Sequence, residues 1–203
     1  MAIGRPKQFR RAEVIEKSIP VFWEHGFADT SLADLETATG VNRSGLYTEF
    51  RDKEDLFLAS LGHYIETSGL TDLLATEPLG WNNVEKYLKF GLACWTGQKG
   101  CFSVSAMRDL AILPQEARLI VERSMKPIRR LLISNIEAEK TTIDASGLAD
   151  ISMTFFSGLS IEQNLATNRQ SGLKRIEAFM QVMRTLCEGL RDAHLMFHSS
   201  EEI

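Results

Sequence analysis

Residues 30–57 read TSLADLETATGVNRSGLYTEFRDKEDLF and contain the most informative pattern of the chain. Thr30 and Ser31 are residue types that cap helices, and the apolar residues after them recur at helical spacing. Gly40 can adopt the positive φ that ends a helix in a tight turn. Asn42 can then cap a second short helix. The pattern predicts two short helices joined by a tight turn.

This arrangement is typical of a helix-turn-helix, in which one helix enters the major groove of DNA while the other braces it. Val41 can plug the angle between the two helices, and Leu46 can face inward. The exposed side of the second helix then carries side chains that hydrogen-bond to phosphates or base edges. They are Asn42, Arg43, Ser44, Tyr47 and Thr48. We predict that this face contacts double-stranded DNA.

The first 11 residues form the clearest charge asymmetry of a chain whose net charge is −4. They contain only cations among their charged residues, namely Arg5, Lys7, Arg10 and Arg11. Because the chain as a whole is acidic, any contact with DNA has to be local, and these cations are candidate phosphate contacts. A solvated, frayed terminus is the alternative.

The rest of the chain also repeats its apolar residues at helical spacing, and no hairpin signal separates alternating apolar runs. We expect an all-α protein of about nine helices. Residues 1–52 form a three-helix, helix-turn-helix DNA-binding domain, and residues 53–203 form a helical ligand-binding and dimerisation domain.

Several classes of function lack their usual motifs. Residues 70–203 hold no nucleotide loop, no HExxH, no GxSxG and no paired carboxylates at catalytic spacing. Cys94, Cys101 and Cys187 follow no zinc or disulfide spacing. No apolar run approaches a membrane span, and no secretory signal begins the chain. We expect a cytoplasmic protein that is not an enzyme, with no metal, cofactor or membrane partner.

The residues from Thr30 onward read T-S-x-x-x-L-x-x-A-x-G-V-N-x-x-x-L-Y-x-x-F-x-x-K-E-x-L, which resembles the DNA-binding signature of the tetracycline-repressor (TetR) family. The resemblance covers residues 9 to about 60. It implies a homodimer with a variable helical ligand domain. It also implies DNA contacts by Thr30, Arg43, Ser44, Tyr47 and Thr48, with Tyr47 and Lys53 at backbone phosphates. Glu36 and Thr39 depart from the pattern, since alanines are frequent there, and Glu36 can pair with Arg43.

A second resemblance concerns residues 99–111, which are similar to a turn that borders the effector pocket in a subset of this family. Large apolar side chains accumulate around it, and we predict a pocket for a mainly apolar effector. Its candidate residues are Trp95, Cys101, Phe102, Met107, Phe155 and Phe156. For each of them a place in the core is the alternative. We expect Cys101 to be a packed thiol rather than an electrophile sensor, because Lys99 is the only cation within two residues.

Two helices near the C-terminus predict the dimer interface. One offers Ile151, Phe155 and Leu159, and the other carries a stripe at helical spacing of Ile176, Phe179, Met180, Met183, Leu186 and Leu190. Two such helices from each chain form a four-helix bundle about a two-fold axis. The same stripe can instead serve the core of the monomer.

Together these features predict a dimeric transcriptional regulator, namely a repressor that a small, mainly apolar effector releases from operator DNA. The ligand changes the distance between two recognition helices, and its effect passes through the fourth helix and residues 103–113. A helical interaction module that acts without binding DNA is the competing hypothesis, and a small helical enzyme is the third.

Overall fold

The computed structural model describes residues 9–92, 94–95, 98–141, 143–163, 165 and 169–198, with the backbone alone at 94, 95, 98, 99 and 188–198. Its helices are α1 Arg11–Asp29, α2 Leu32–Thr39, α3 Arg43–Glu49, α4 Lys53–Thr67, α5 Leu70–Leu74, α6 Trp81–Phe90, α7 Phe102–Ala106, α8 Gln115–Ala138, α9 Ala145–Glu162 and α10 Arg169–His198. A 3-10 turn, Met107–Asp109, follows α7, and two short strands, β1 Cys94–Trp95 and β2 Gln98–Lys99, form one pair. The all-α fold is confirmed.

The described residues form ten α-helices where about nine were predicted. The additional one is α5, a helix of five residues that is too short to show a periodic pattern in the sequence. α6 ends at Phe90, and the residues after it include the two strands. None of the helices in the described ranges combines the length and the apolar character that crossing a membrane requires.

The chain forms two compact units. Unit 1 contains α1 to α4, α7, the 3-10 turn and α8 as far as Glu122, and unit 2 contains α5, α6, α9, α10 and α8 from Arg123. The predicted boundary after residue 52 differs from this division, because α4 belongs to unit 1. Its side chains Phe57 and Leu61 are fully buried there.

An aromatic cluster forms the core of unit 1. The Phe57 ring of α4 meets Phe22 of α1 edge-on, with 5.1 Å between ring centroids, and Trp23 meets Tyr64 at 5.2 Å. Phe102 of α7 lies against Trp23, Phe57 and Tyr64 at 5.6–5.9 Å, and its side chain is 1% exposed. Edge-to-face aromatic pairs add to the free energy of burial. Phe102 therefore fixes α7 to both α1 and α4.

The first helix is interrupted at Gly26, where the backbone leaves the helical region with φ 79° and ψ 176°. The amide of the next residue, Phe27, donates a hydrogen bond of 2.7 Å to the Asp109 carboxylate. An added Cβ at Gly26 would lie 3.0 Å from the same carboxylate oxygen. The 3-10 turn is thus docked on the break in α1.

A buried amide organises part of unit 2. The Asn135 carbonyl oxygen accepts hydrogen bonds from the Gly80 amide at 2.9 Å and the Asn83 side chain at 3.0 Å. Its NH₂ group donates to the Leu74 and Leu131 carbonyls at 2.8 Å each. All four hydrogen-bonding positions of the side chain are used. Asn135 thereby holds the loop between α5 and α6 against α8.

We predict that Phe102→Ala lowers the free energy of unfolding by about 3–5 kcal/mol, because it removes a ring that contacts three others. Ile112→Ala is the matched control, since Ile112 is in the same unit and 61% exposed. It is expected to change stability by less than about 0.5 kcal/mol. Urea unfolding followed by circular dichroism at one protein concentration measures both, and equal losses would contradict the assignment of Phe102 to the core.

Candidate nucleic-acid interface

The second helix begins with a capping box. The Ser31 hydroxyl accepts from the Asp34 amide at 3.2 Å, while the Asp34 carboxylate accepts from the Ser31 amide at 2.8 Å. The Ser31 hydroxyl also donates to the Asp34 carboxylate at 2.6 Å, and this bond, together with the one from the Ser31 amide, lowers the pKa of the Asp34 carboxyl. At the other end Gly40 is left-handed, with φ 73° and ψ 12°, as predicted. The turn therefore sets where α3 begins.

The first turn of α3 is capped by two side chains. The Asn42 carbonyl oxygen accepts from the Gly45 amide at 2.9 Å, and the Glu36 carboxylate of α2 accepts from the Arg43 amide. Free amide groups at a helix start otherwise need water or a ligand. Glu36, which departs from the family pattern, thus acts on the Arg43 backbone. On the inner side Val41 and Leu46 are buried, as predicted.

The outer side of α3 is open and polar. All five residues predicted for it are exposed: Asn42, Arg43, Ser44, Tyr47 and Thr48. The Arg43 guanidinium lies 5.6 Å from the Tyr47 ring centroid, and the Thr48 hydroxyl donates to the Ser44 carbonyl at 2.9 Å. The structure therefore brings a cation, a phenol, an amide and two hydroxyls together on one face.

Two residues that the resemblance assigned to DNA make contacts at the end of α1. Thr30 is 1% exposed, and its hydroxyl donates to the Gly26 carbonyl at 2.6 Å. The Lys53 ammonium donates to the carbonyls of Phe27 and Thr30 at 2.8 Å each and lies 4.6 Å from the Phe27 ring centroid. Carbonyls at a helix end lack donors and attract a cation. This contradicts a DNA contact by the Thr30 side chain and gives Lys53 a partner other than phosphate.

The four cations of the basic N-terminus have different surroundings. Arg5 and Lys7 lie outside the described residues. Arg10 is exposed and pairs with Glu13 at 2.8 Å, and this hydrogen bond lowers the pKa of the Glu13 carboxyl. Arg11 donates to a carbonyl of α3 and lies over an aromatic ring. Both arginines of the described part of the terminus are exposed.

The predicted effector residues divide between the two units. Phe102 and Met107 belong to unit 1, where Phe102 is enclosed by other rings. Phe155 and Phe156 belong to unit 2, and Phe156 is buried in a stack on Tyr87 with 4.6 Å between ring centroids. The side chain of Trp95 lies outside the described residues. Phe102 is therefore a core residue rather than a wall of a pocket, and the remaining candidates stay a prediction.

Cys101 is a buried cysteine, 3% exposed, in unit 2. The packing role predicted for it requires this burial. The neighbouring Tyr87 is also buried, and desolvation, together with the charge of Cys101, raises the pKa of its phenol. Among the described side chains no cluster of three or more His, Cys, Asp or Glu is placed to hold a metal ion.

The residues predicted for the dimer interface on the two C-terminal helices lie in two different environments. Four of them are buried within unit 2, namely Leu159, Ile176, Met180 and Met183, so the alternative of a core role is correct for them. Ile151 and Leu186 are exposed, and Phe155 and Phe179 are half-buried and stacked on each other with 4.2 Å between centroids. The side chain of Leu190 lies outside the described residues. Val182, which the analysis of the stripe missed, is 57% exposed.

The sequence matches the family model "Bacterial regulatory proteins, tetR family" over residues 14–60. It is similar to the HTH-type transcriptional repressor ComR of Escherichia coli (strain K12), with 37% identity over 114 residues that cover 53% of this chain and 54% of ComR. The chain therefore spans about half the length of that relative. It is also similar to the HTH-type transcriptional repressor BdcR of the same strain, with 28% identity over 83% of this chain and 90% of BdcR.

Solved structures share the fold. A cysteine-substituted TetR family transcriptional regulator CifR, complexed with 26-bp double-strand operator DNA, matches with a TM-score of 0.75 and 25% identity, over 88% of this chain and 98% of that one. A TetR family regulator from Agrobacterium tumefaciens matches with a TM-score of 0.74 and 16% identity, over 84% and 95% of the two chains. The family model matches residues 14–60, which contain the helix-turn-helix and parts of α1 and α4, so the resemblance to the TetR family is confirmed for this region of the chain.

Proposed function

We propose that this protein is a homodimeric transcriptional repressor that binds double-stranded operator DNA through α3 and leaves it when a small, mainly apolar effector binds. The exposed polar face of α3 carries this proposal. An α-helix with its side chains is about 10–12 Å in diameter, which fits a major groove about 12 Å wide. Because Leu46 is buried, the opposite face is the one that can reach DNA.

The chemistry of that face suits base and phosphate recognition. The Arg43 guanidinium offers a planar pair of donors, which matches the O6 and N7 acceptors of guanine. The hydroxyls of Ser44 and Thr48 and the phenol of Tyr47 can donate to phosphate oxygens. The operator complex of the relative CifR supports this use of the fold, and so do the names of ComR and BdcR as repressors.

A second copy of the chain is the proposed partner of the apolar face on α9 and α10. We call this the dimer face and define it by Ile151, Phe155, Phe179, Val182 and Leu186. Three of these side chains are about half exposed or more, which is unusual for large apolar residues unless a partner covers them. A two-fold pair of such faces forms a four-helix bundle. In such a dimer the two α3 helices are proposed to reach two half-sites about 34–36 Å apart.

The proposed route from the effector to α3 uses the segment from Phe102 to Asp109. It follows the strand pair in the sequence, yet it belongs to unit 1, where Phe102 packs against α1 and α4. Asp109 accepts from the Phe27 amide directly after the break at Gly26. After this segment α8 continues from unit 1 into unit 2. An effector that favours another position of the segment changes the end of α1 and hence the separation of the reading helices.

We predict that the protein enriches a specific duplex from a pool of randomised 26-bp DNA, and that Tyr47→Ala weakens binding to it at least about tenfold by removing a phosphate contact. Thr48→Ala and Thr67→Ala form a matched pair. Both threonines are exposed, and each hydroxyl donates to the carbonyl four residues earlier, at 2.9 and 2.7 Å.

Only Thr48→Ala is expected to weaken binding in a mobility-shift titration, because Thr67 lies at the end of α4, off the α3 face. Equal effects of the two threonine substitutions, or no enrichment of any duplex by the wild type, would contradict the proposal. Melting temperatures confirm that each variant is folded.

We also predict that Val182→Glu combined with Leu186→Glu gives a soluble monomer, because buried unpaired charges at the dimer face oppose association. Both side chains are exposed in the single chain, so the fold itself tolerates the change. Ile112→Glu is the control, since Ile112 is equally exposed but lies in unit 1. Light scattering should give twice the chain mass for the wild type and the control. A dimeric double variant would place the interface elsewhere.

A further inference from the structure

α3, the proposed recognition helix, is too short to be stable on its own. α3 has only seven residues, well below the length of about 12–15 at which an isolated helix becomes stable. Leu46 is its only buried residue. The outer face has to stay free for DNA, so the direction of the helix depends on what holds its two ends.

The first end is covered by Phe9, which precedes α1. An added Cβ at Gly45 would lie 3.2 Å from a carbon of the Phe9 ring and 2.7 Å from a methyl group of Val41. The ring therefore rests beside the bare backbone of Gly45, where a side chain would displace it. Phe9 and Val41 also line one groove together with Ser44 and Thr48 of the reading side.

The second end is covered by Arg11, the first residue of α1. Its guanidinium lies 4.1 Å from the centroid of the buried Phe50 ring and donates to the Glu49 carbonyl. The last carbonyls of a helix lack donors and favour a nearby cation, and α3 has no basic residue in its own last turn. Arg11 supplies that cation from another helix, and its stacking on Phe50 fixes the direction of approach.

We propose that the start of α1 clamps α3 at both ends, with Phe9 on Gly45 and Arg11 on Glu49 and Phe50, and that these are positioning residues for sequence reading. This inference rests on the proposed DNA binding. It replaces the phosphate contact predicted for Arg11. The clamp fixes the angle at which Arg43 and its neighbours meet base edges, so it acts on selectivity rather than on general affinity for DNA.

The ratio of affinities for the correct and the wrong duplex separates the two roles of Arg11. Each phosphate contact contributes about 0.9 to the slope of log K against log salt concentration, whatever the DNA sequence. A positioning residue leaves this slope unchanged and alters the ratio of affinities for the correct and the wrong duplex. Arg11→Lys keeps the charge and removes the planar group. Arg10→Lys is the matched control, because the same substitution is made one residue away at a cation that pairs only with Glu13 among the described contacts.

The test measures binding of each variant to the enriched duplex and to a scrambled duplex at several salt concentrations. We expect Arg11→Lys and Phe9→Ala each to lower the affinity ratio about tenfold, the size of one good base contact, with unchanged salt slopes. Arg10→Lys should keep the wild-type ratio. Equal weakening on both duplexes, a smaller slope, or a wild-type ratio for Arg11→Lys would overturn the proposal.

Amide hydrogen exchange of the free protein tests the clamp without DNA. Phe9→Ala and Arg11→Lys should speed exchange in residues 43–49 and leave residues 53–67 unchanged, whereas Arg10→Lys should alter neither range. Unchanged exchange in residues 43–49 would overturn the clamp even if the protein binds DNA as proposed. Faster exchange in a protein that enriches no duplex would support the clamp and reject the proposed function.

Discussion

The proposed DNA binding depends on one constraint: α3, a very short helix, has to be held through its inner side and its two ends while its outer face stays exposed. α3 satisfies this constraint with Leu46 in the core, Asn42 and Glu36 on its first amides, and Arg11 at its last carbonyl. Each contact comes from a different part of unit 1. The orientation of the exposed face of α3 therefore depends on several parts of unit 1, and changes in α1 or α2 are expected to alter that orientation.

Local chemistry made the helix-turn-helix predictable from the sequence. The left-handed turn at Gly40, the cap by Asn42 and the inward side chain of Leu46 involve residues within a few positions of each other. The exposed face of α3 follows from these three features, since a helix that buries one side presents the other. Exposure as such says nothing of DNA, however, and the DNA contacts stay a prediction.

Tertiary contacts determined what the sequence could not predict. Thr30 and Phe102 have the residue types of a DNA contact and a pocket wall, but their partners lie in the break of α1 and in the aromatic cluster. The apolar residues of α10 were predicted to form one interface, but they lie on two sides of the helix. Met183 faces the core of unit 2, whereas Val182 and Leu186 face solvent. Helical periodicity marks both sides as apolar and does not say which one a partner covers.

In the proposed complex, two copies of α3 occupy successive major grooves. Methylation interference on the enriched duplex can detect this arrangement, because N7 of guanine lies in the major groove and N3 of adenine in the minor groove. We expect interference at guanine N7 in two clusters about one helical turn apart. Interference confined to adenine N3, or a single cluster of guanines, would contradict it.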